Sequence, residues 1–109
     1  MELHMTEAAI QSLCSKLKDA GCVRLVYDSE GCGCADNGVP GLWLVDHPAP
    51  FDVPVMTNAP FPVIIDNHQT IYFEAFMRLD VQSTGYYRLS SNQQIYTTHL
   101  ASVDKRSTL

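Results

Sequence analysis

At 109 residues, with 46% hydrophobic and 17% charged positions, the chain has the length and composition of one globular domain that buries a core without staples. Seven Lys and Arg against twelve Asp and Glu give a net charge of −5, and the one basic cluster, Lys105-Arg106, is too small for a nucleic-acid footprint. No apolar run approaches the roughly 20 residues that cross a bilayer, and Met1-Glu2-Leu3-His4 has neither the basic segment nor the apolar stretch of a signal peptide.

Residues 6–20 read as an amphipathic helix. Thr6 is the N-cap, Glu7 suits the first turn, and Ile10, Leu13, Cys14 and Leu17 recur at the spacing of one apolar face. Cys14 on that face reads as a small buried hydrophobe, and Gly21 as the residue that stops the helix. The period then changes to two. Cys22 to Tyr27 forms a strand, with Val23, Leu25 and Tyr27 on one face and Arg24 and Val26 on the other. Residues 28–38 are a loop of turn formers, and Gly41 to Val45 is the next strand, so the two strands make a wide hairpin.

The second half offers short β-like runs at Val53–Met56, Val63–Ile65, Thr70–Phe73, Met77–Val81 and Tyr86–Leu89, separated by Pro, Asn, Asp and Gly. Phe73 to Phe76 reads alternatively as a helical turn. Residues 93–109 read as a polar tail of weak periodicity with a frayed end, leaving a core of about residues 6–92 in one domain, 1–109. One helix followed by about seven short strands, with no second long helix for crossovers, predicts an α+β fold that is mainly β. The sheet should be mixed or antiparallel, closed as a compact barrel or packed as a sandwich.

The chemistry concentrates in Gly31-Cys32-Gly33-Cys34, which holds half of the four cysteines. Four cysteines are too few for a disulfide scaffold. In the cytoplasm, the compartment expected here, clustered thiols serve metals or redox chemistry more often than structure. Gly33 has no Cβ and lets the two thiols turn toward one ion. Thiolates select soft ions: zinc, copper(I) and iron–sulfur clusters. Two thiolates are half a coordination sphere, so further ligands are needed. Cys22, His47, His68 and His99 are the candidates. Asp28, Glu30 and Asp36 surround the pair with negative charge, which disfavours a low-pKa nucleophile. No nucleophile–base pair or paired carboxylate can be placed, so the chain reads as a non-enzyme. Two alternatives stay open. One is a cofactor-free interaction or regulatory domain using Trp43 or Tyr86-Tyr87. The other is a thiol redox sensor, in which Cys32 and Cys34 close a strained, readily reduced ring.

The order of helix, strand, cysteine loop, strand and short strands resembles the HesB-like family of A-type iron–sulfur cluster carriers. The matching pieces are Thr6-Glu7-Ala8-Ala9, Val23-Arg24-Leu25, Glu30-Gly31-Cys32-Gly33, Val63-Ile64-Ile65-Asp66 and Leu89-Ser90-Ser91-Asn92, from about Thr6 to Asn92. The resemblance implies the HesB-like fold, iron or an iron–sulfur cluster held through Cys32, and partners among cluster-assembly proteins and apo iron–sulfur proteins. The family supplies two more thiols in a second Cys-x-Cys near the C-terminus. This chain has no cysteine after Cys34, and residues 93–100 offer only His99. The resemblance thus implies Cys34 and His99 as local substitutes, or a homodimer whose two Cys32/Cys34 pairs give four thiolates.

Overall fold

Leu3 and Met5 alternate with Glu2 and His4, and this short period-two run forms a strand, β1 (Glu2–Met5), that the sequence reading missed. The computed structural model describes residues 1–18, 20–28 and 39–106. Thr6 ends β1 and starts the helix α1 (Glu7–Leu17). Its side chain accepts from the Ala9 N–H at 3.3 Å and donates to Asp80 Oδ1 at 2.8 Å. Ala9, Leu13 and Leu17 are buried, with Ile10 and Cys14 packed beside them, which is the expected face plus Ala9. The helix stops at Leu17, three residues before the expected end. Lys18 enters the left-handed region at φ 55° and donates its N–H to the Cys14 carbonyl, and Gly21 at φ 89° turns the chain into the next strand.

The strands that follow are β2 (Cys22–Asp28), β3 (Val39–Val45), β4 (Asp52–Pro54), β5 (Met56–Thr57), β6 (Val63–Asp66), β7 (Phe76–Val81), β8 (Tyr87–Ser90), β9 (Ile95–Leu100) and β10 (Ser102–Asp104). They form two five-stranded sheets, ordered β5-β1-β7-β8-β9 and β10-β3-β2-β6-β4. Parallel pairs (β1 with β5 and β7, β2 with β6, β3 with β10) mix with antiparallel ones, as expected. Neither sheet closes on itself, so the expected barrel is corrected to two open sheets. Pro54 sits on β4, the edge of its sheet, where a missing N–H costs no ladder bond.

Leu3, Met77, Leu79, Tyr87 and Leu89 from the first sheet share one core with Val23, Leu25, Leu42, Leu44, Val63 and Ile65 from the second and with Leu13 and Leu17 of α1. Fully burying side chains of this size contributes roughly 1.5–3 kcal/mol each. The hairpin of β2 and β3 is as read, with β3 starting two residues earlier.

The second half departs from the sequence reading in several places. Residues 70–73 do not form a strand. Asp66 accepts the His68 N–H, and Asn67–Tyr72 winds into a short 3-10 turn, because that local cap wins over the β composition of Thr70-Ile71-Tyr72. The helical turn read at residues 73–76 accordingly sits earlier, at 67–72. The polar tail also holds two strands that the sequence reading did not place, and its end, residues 107–109, lies outside the described residues. β9 pairs with β8, β10 pairs with β3, and the buried Leu100 anchors the crossing between them. Arg106 then caps α1 from a distance. It donates to the carbonyls of Lys16, Leu17 and Ala20, while Asp104 holds its Nε and Nη2. That bond pulls Asp104 down to a pKa of about 2.

Candidate metal centre

The ladder between β2 and β3 runs unbroken from Cys22↔Val45 to Asp28↔Val39. Residues 29–38 therefore leave and return at two adjacent ends of one sheet. Cys32 and Cys34 belong to that connection and lie outside the described residues.

The frame beside it is well defined. Gln69 donates its side-chain amide to the Tyr27 carbonyl at 3.1 Å and accepts the Tyr27 N–H at 3.0 Å. Tyr72 stacks on Tyr27 with ring centroids 4.2 Å apart and planes 10° from parallel. Phe73 meets Tyr27 edge-on at 6.0 Å and Tyr96 at 5.8 Å. The Tyr96 hydroxyl accepts the Glu74 N–H and donates to Glu74 Oε2, and burial pushes its pKa up. Ser91 donates to the same carboxylate oxygen. This shelf of rings ties the mouth of the cysteine connection to both sheets. Tyr27 was legible as an inward strand residue. Gln69 and Tyr72 were not, since only tertiary pairing brings them there.

The other candidate ligands are scattered. His99 is exposed on β9, its Nδ1 3.0 Å from Thr98 Oγ1 and its ring 5.9 Å from Tyr86. That strand belongs to the first sheet, whereas the cysteine connection springs from the second. His68 Nδ1 sits 3.0 Å from Asp66 Oδ1, and the His68 N–H, more than its ring, holds the Asp66 carboxyl below its usual range. His47 is exposed beside the Pro48 carbonyl. Cys22 is buried with Val45 and Ile64 at the opposite end of β2, and burial raises its thiol pKa. Cys14 is half-buried and lines an apolar cavity of about 220 Å³ with Leu17, Pro60, Phe61 and Pro62. Among the described residues no three His, Cys, Asp or Glu gather to hold a metal ion, and no helix is long and apolar enough to cross a membrane.

A family model described as iron–sulphur cluster biosynthesis matches residues 1–104. An uncharacterized protein of Bacillus subtilis strain 168, YqkB, is 37% identical over 83 residues, which is 73% of this chain and 76% of that protein. Two crystal structures, both of proteins assigned to Fe-S biosynthesis, share the fold. The Lactobacillus salivarius protein superimposes with a TM-score of 0.79 at 17% identity, covering 98% of this chain and 100% of its own. The Lactobacillus acidophilus protein does so with a TM-score of 0.76 at 14% identity, covering 95% and 89%. The chain belongs to the iron–sulphur cluster biosynthesis (HesB-like) family.

Proposed function

We propose that this protein is a non-enzymatic carrier that holds iron or an iron–sulfur cluster as cargo on Cys32 and Cys34 and gives it up to apo-proteins in the cytoplasm. Family membership supports a role in cluster assembly. The thiol assignment rests on the β2–β3 ladder. With Asp28 paired to Val39, both cysteines and both flanking glycines belong to one short connection. Two thiolates leave half of a tetrahedral sphere open. His99, small thiols or the Cys32/Cys34 pair of a second copy complete it. Incomplete ligation suits a carrier, because a recipient's thiolates enter by replacing weak ligands rather than by breaking a closed site. Anaerobic addition of ferrous iron and sulfide should give visible charge-transfer absorption in the wild type and none in Cys32→Ser/Cys34→Ser. Identical featureless spectra would sink the proposal.

One observation favours a second reading, a partner surface that works without cargo. Ile71 is 80% exposed and Tyr72 46% exposed, beside the mouth of the cysteine connection. Of the residues that the sequence offered for such a surface, Tyr86 is 45% exposed and the others fit less well. Trp43 is half-buried with Lys105 over its ring, and Tyr87 is fully buried. Recovery of one partner equally by wild type and the cysteine double variant, with loss on Ile71→Asp, supports this reading.

A further inference from the structure

Lys16 stands just outside the apolar stripe of α1, and its stem crosses the face of Tyr87, with Nζ 4.9 Å from the ring centroid. The ammonium does not run out to water. It donates to the Tyr87 hydroxyl at 3.1 Å and to Ser102 Oγ at 2.7 Å. The Tyr87 hydroxyl in turn shares a 2.7 Å bond with Ser12 Oγ. The ion pairs among the described residues are Arg24–Asp52, His68–Asp66 and Arg106–Asp104, so no described carboxylate pairs with Lys16. Among the described residues this half-buried cation is thus held by neutral hydroxyls, which take two of its three N–H donors.

The same ammonium lines an open groove of about 270 Å³ whose other walls are Thr84, Gly85, Tyr86, Ala101 and Ser102. Among the described residues no acidic side chain lines it. Gly85 turns at φ 92°, and a Cβ there would meet nothing within 4 Å, so the groove is open on this side. On a chain of net charge −5, general attraction does not gather anions, and local donors must do so.

We propose that this groove binds a small phosphate-class anion, seated on the Lys16 ammonium and the Ser102 and Thr84 hydroxyls with Tyr86 at its rim. A point charge ringed by hydroxyls suits a tetrahedral oxyanion, whereas planar carboxylate recognition favours the guanidinium fork. The proposal does not rest on Cys32 or Cys34, and its test does not involve iron.

The test is a titration of the whole chain with inorganic phosphate at constant ionic strength, followed by amide proton–nitrogen correlation spectra. Saturable shifts confined to residues 84–86, 101–102 and the last turn of α1 are expected. Lys16→Gln should weaken them at least about tenfold, and Ser102→Ala, which keeps the ammonium, by a few-fold. Glycerol phosphate in a parallel titration separates the sources. Tighter binding than inorganic phosphate points to a phosphomonoester, and weaker binding to the free ion. Linear shifts without saturation, equal shifts in Ser102→Ala and Lys16→Gln as in wild type, or equal saturation by acetate would each overturn the proposal.

Discussion

Gln69 takes the place of a strand for Tyr27. β6 pairs with β2 only as far as Leu25↔Ile65, and two residues later Gln69 supplies both the donor and the acceptor that a neighbouring strand would give. Gln69→Ala leaves the Tyr27 N–H and C=O without those partners under the Tyr72 ring. A loss of about 1–2 kcal/mol in urea unfolding is expected. Gln69→Glu keeps the acceptor and loses the donor, so it should fall between wild type and Ala.

Gly21 and Gly85 share a positive φ yet should respond differently to alanine. A Cβ at Gly21 would lie 2.3 Å from the Val45 carbonyl oxygen, which is backbone and cannot yield cheaply. Gly21→Ala should cost about 2–4 kcal/mol from clash and strain together. Gly85→Ala meets open space and should cost about 1 kcal/mol from conformation alone. Parallel denaturation curves check the contrast.

Arg24 donates to Asp52, whose side chain is 2% exposed, while Arg24 Nε is buried without a partner. Asp52→Ala strands the guanidinium and Arg24→Met strands the carboxylate. Each should cost about 2–4 kcal/mol. The double variant should be less destabilised than the sum, giving a coupling energy measurable in a double-mutant cycle.

The Asp104–Arg106 bond predicts an acid dependence. The folded pKa of about 2 lies below the ordinary value of 3.8, so the contribution is fully present above that value and is lost as pH falls through the interval down to about 2. Thermal melts of wild type and Asp104→Asn should differ near neutrality and converge across that interval. A constant difference would disprove the linkage.

Cys22 should be chemically quiet. Burial raises its thiol pKa and closes access. Native alkylation followed by mass spectrometry should leave Cys22 unmodified until denaturant is added.

Features that depend on neighbouring residues were readable in the sequence. Thr6, the stripe from Ile10 to Leu17 and the alternation of Val23 and Leu25 are set by spacing alone, and they appear where spacing puts them. Features set by distant partners were not. β1 is four residues long and is stabilised by β5 and β7, more than fifty residues away in sequence. β9 hid behind its Thr-Thr-His composition and register shifts against β8 that break the alternation. Asp66 turned a β-like run into a 3-10 turn through one side-chain bond. The candidate centre followed the same division. The Cys32/Cys34 spacing is local and plain in the sequence. The Gln69–Tyr27–Tyr72 shelf at its mouth exists only once β2, β6 and the 3-10 turn have met.

The position of β1, between β5 and β7, has a consequence for how the protein folds. β1 must wait for both neighbours, more than fifty residues later in sequence. The helix that follows it waits longer still, since Arg106 reaches its last carbonyls across sequence separations of 86 to 90 residues. Contacts so far apart slow folding. β1 and α1 thus gain their native partners only once β7 and Arg106 are present, so the stability of these first elements depends on residues far along the chain.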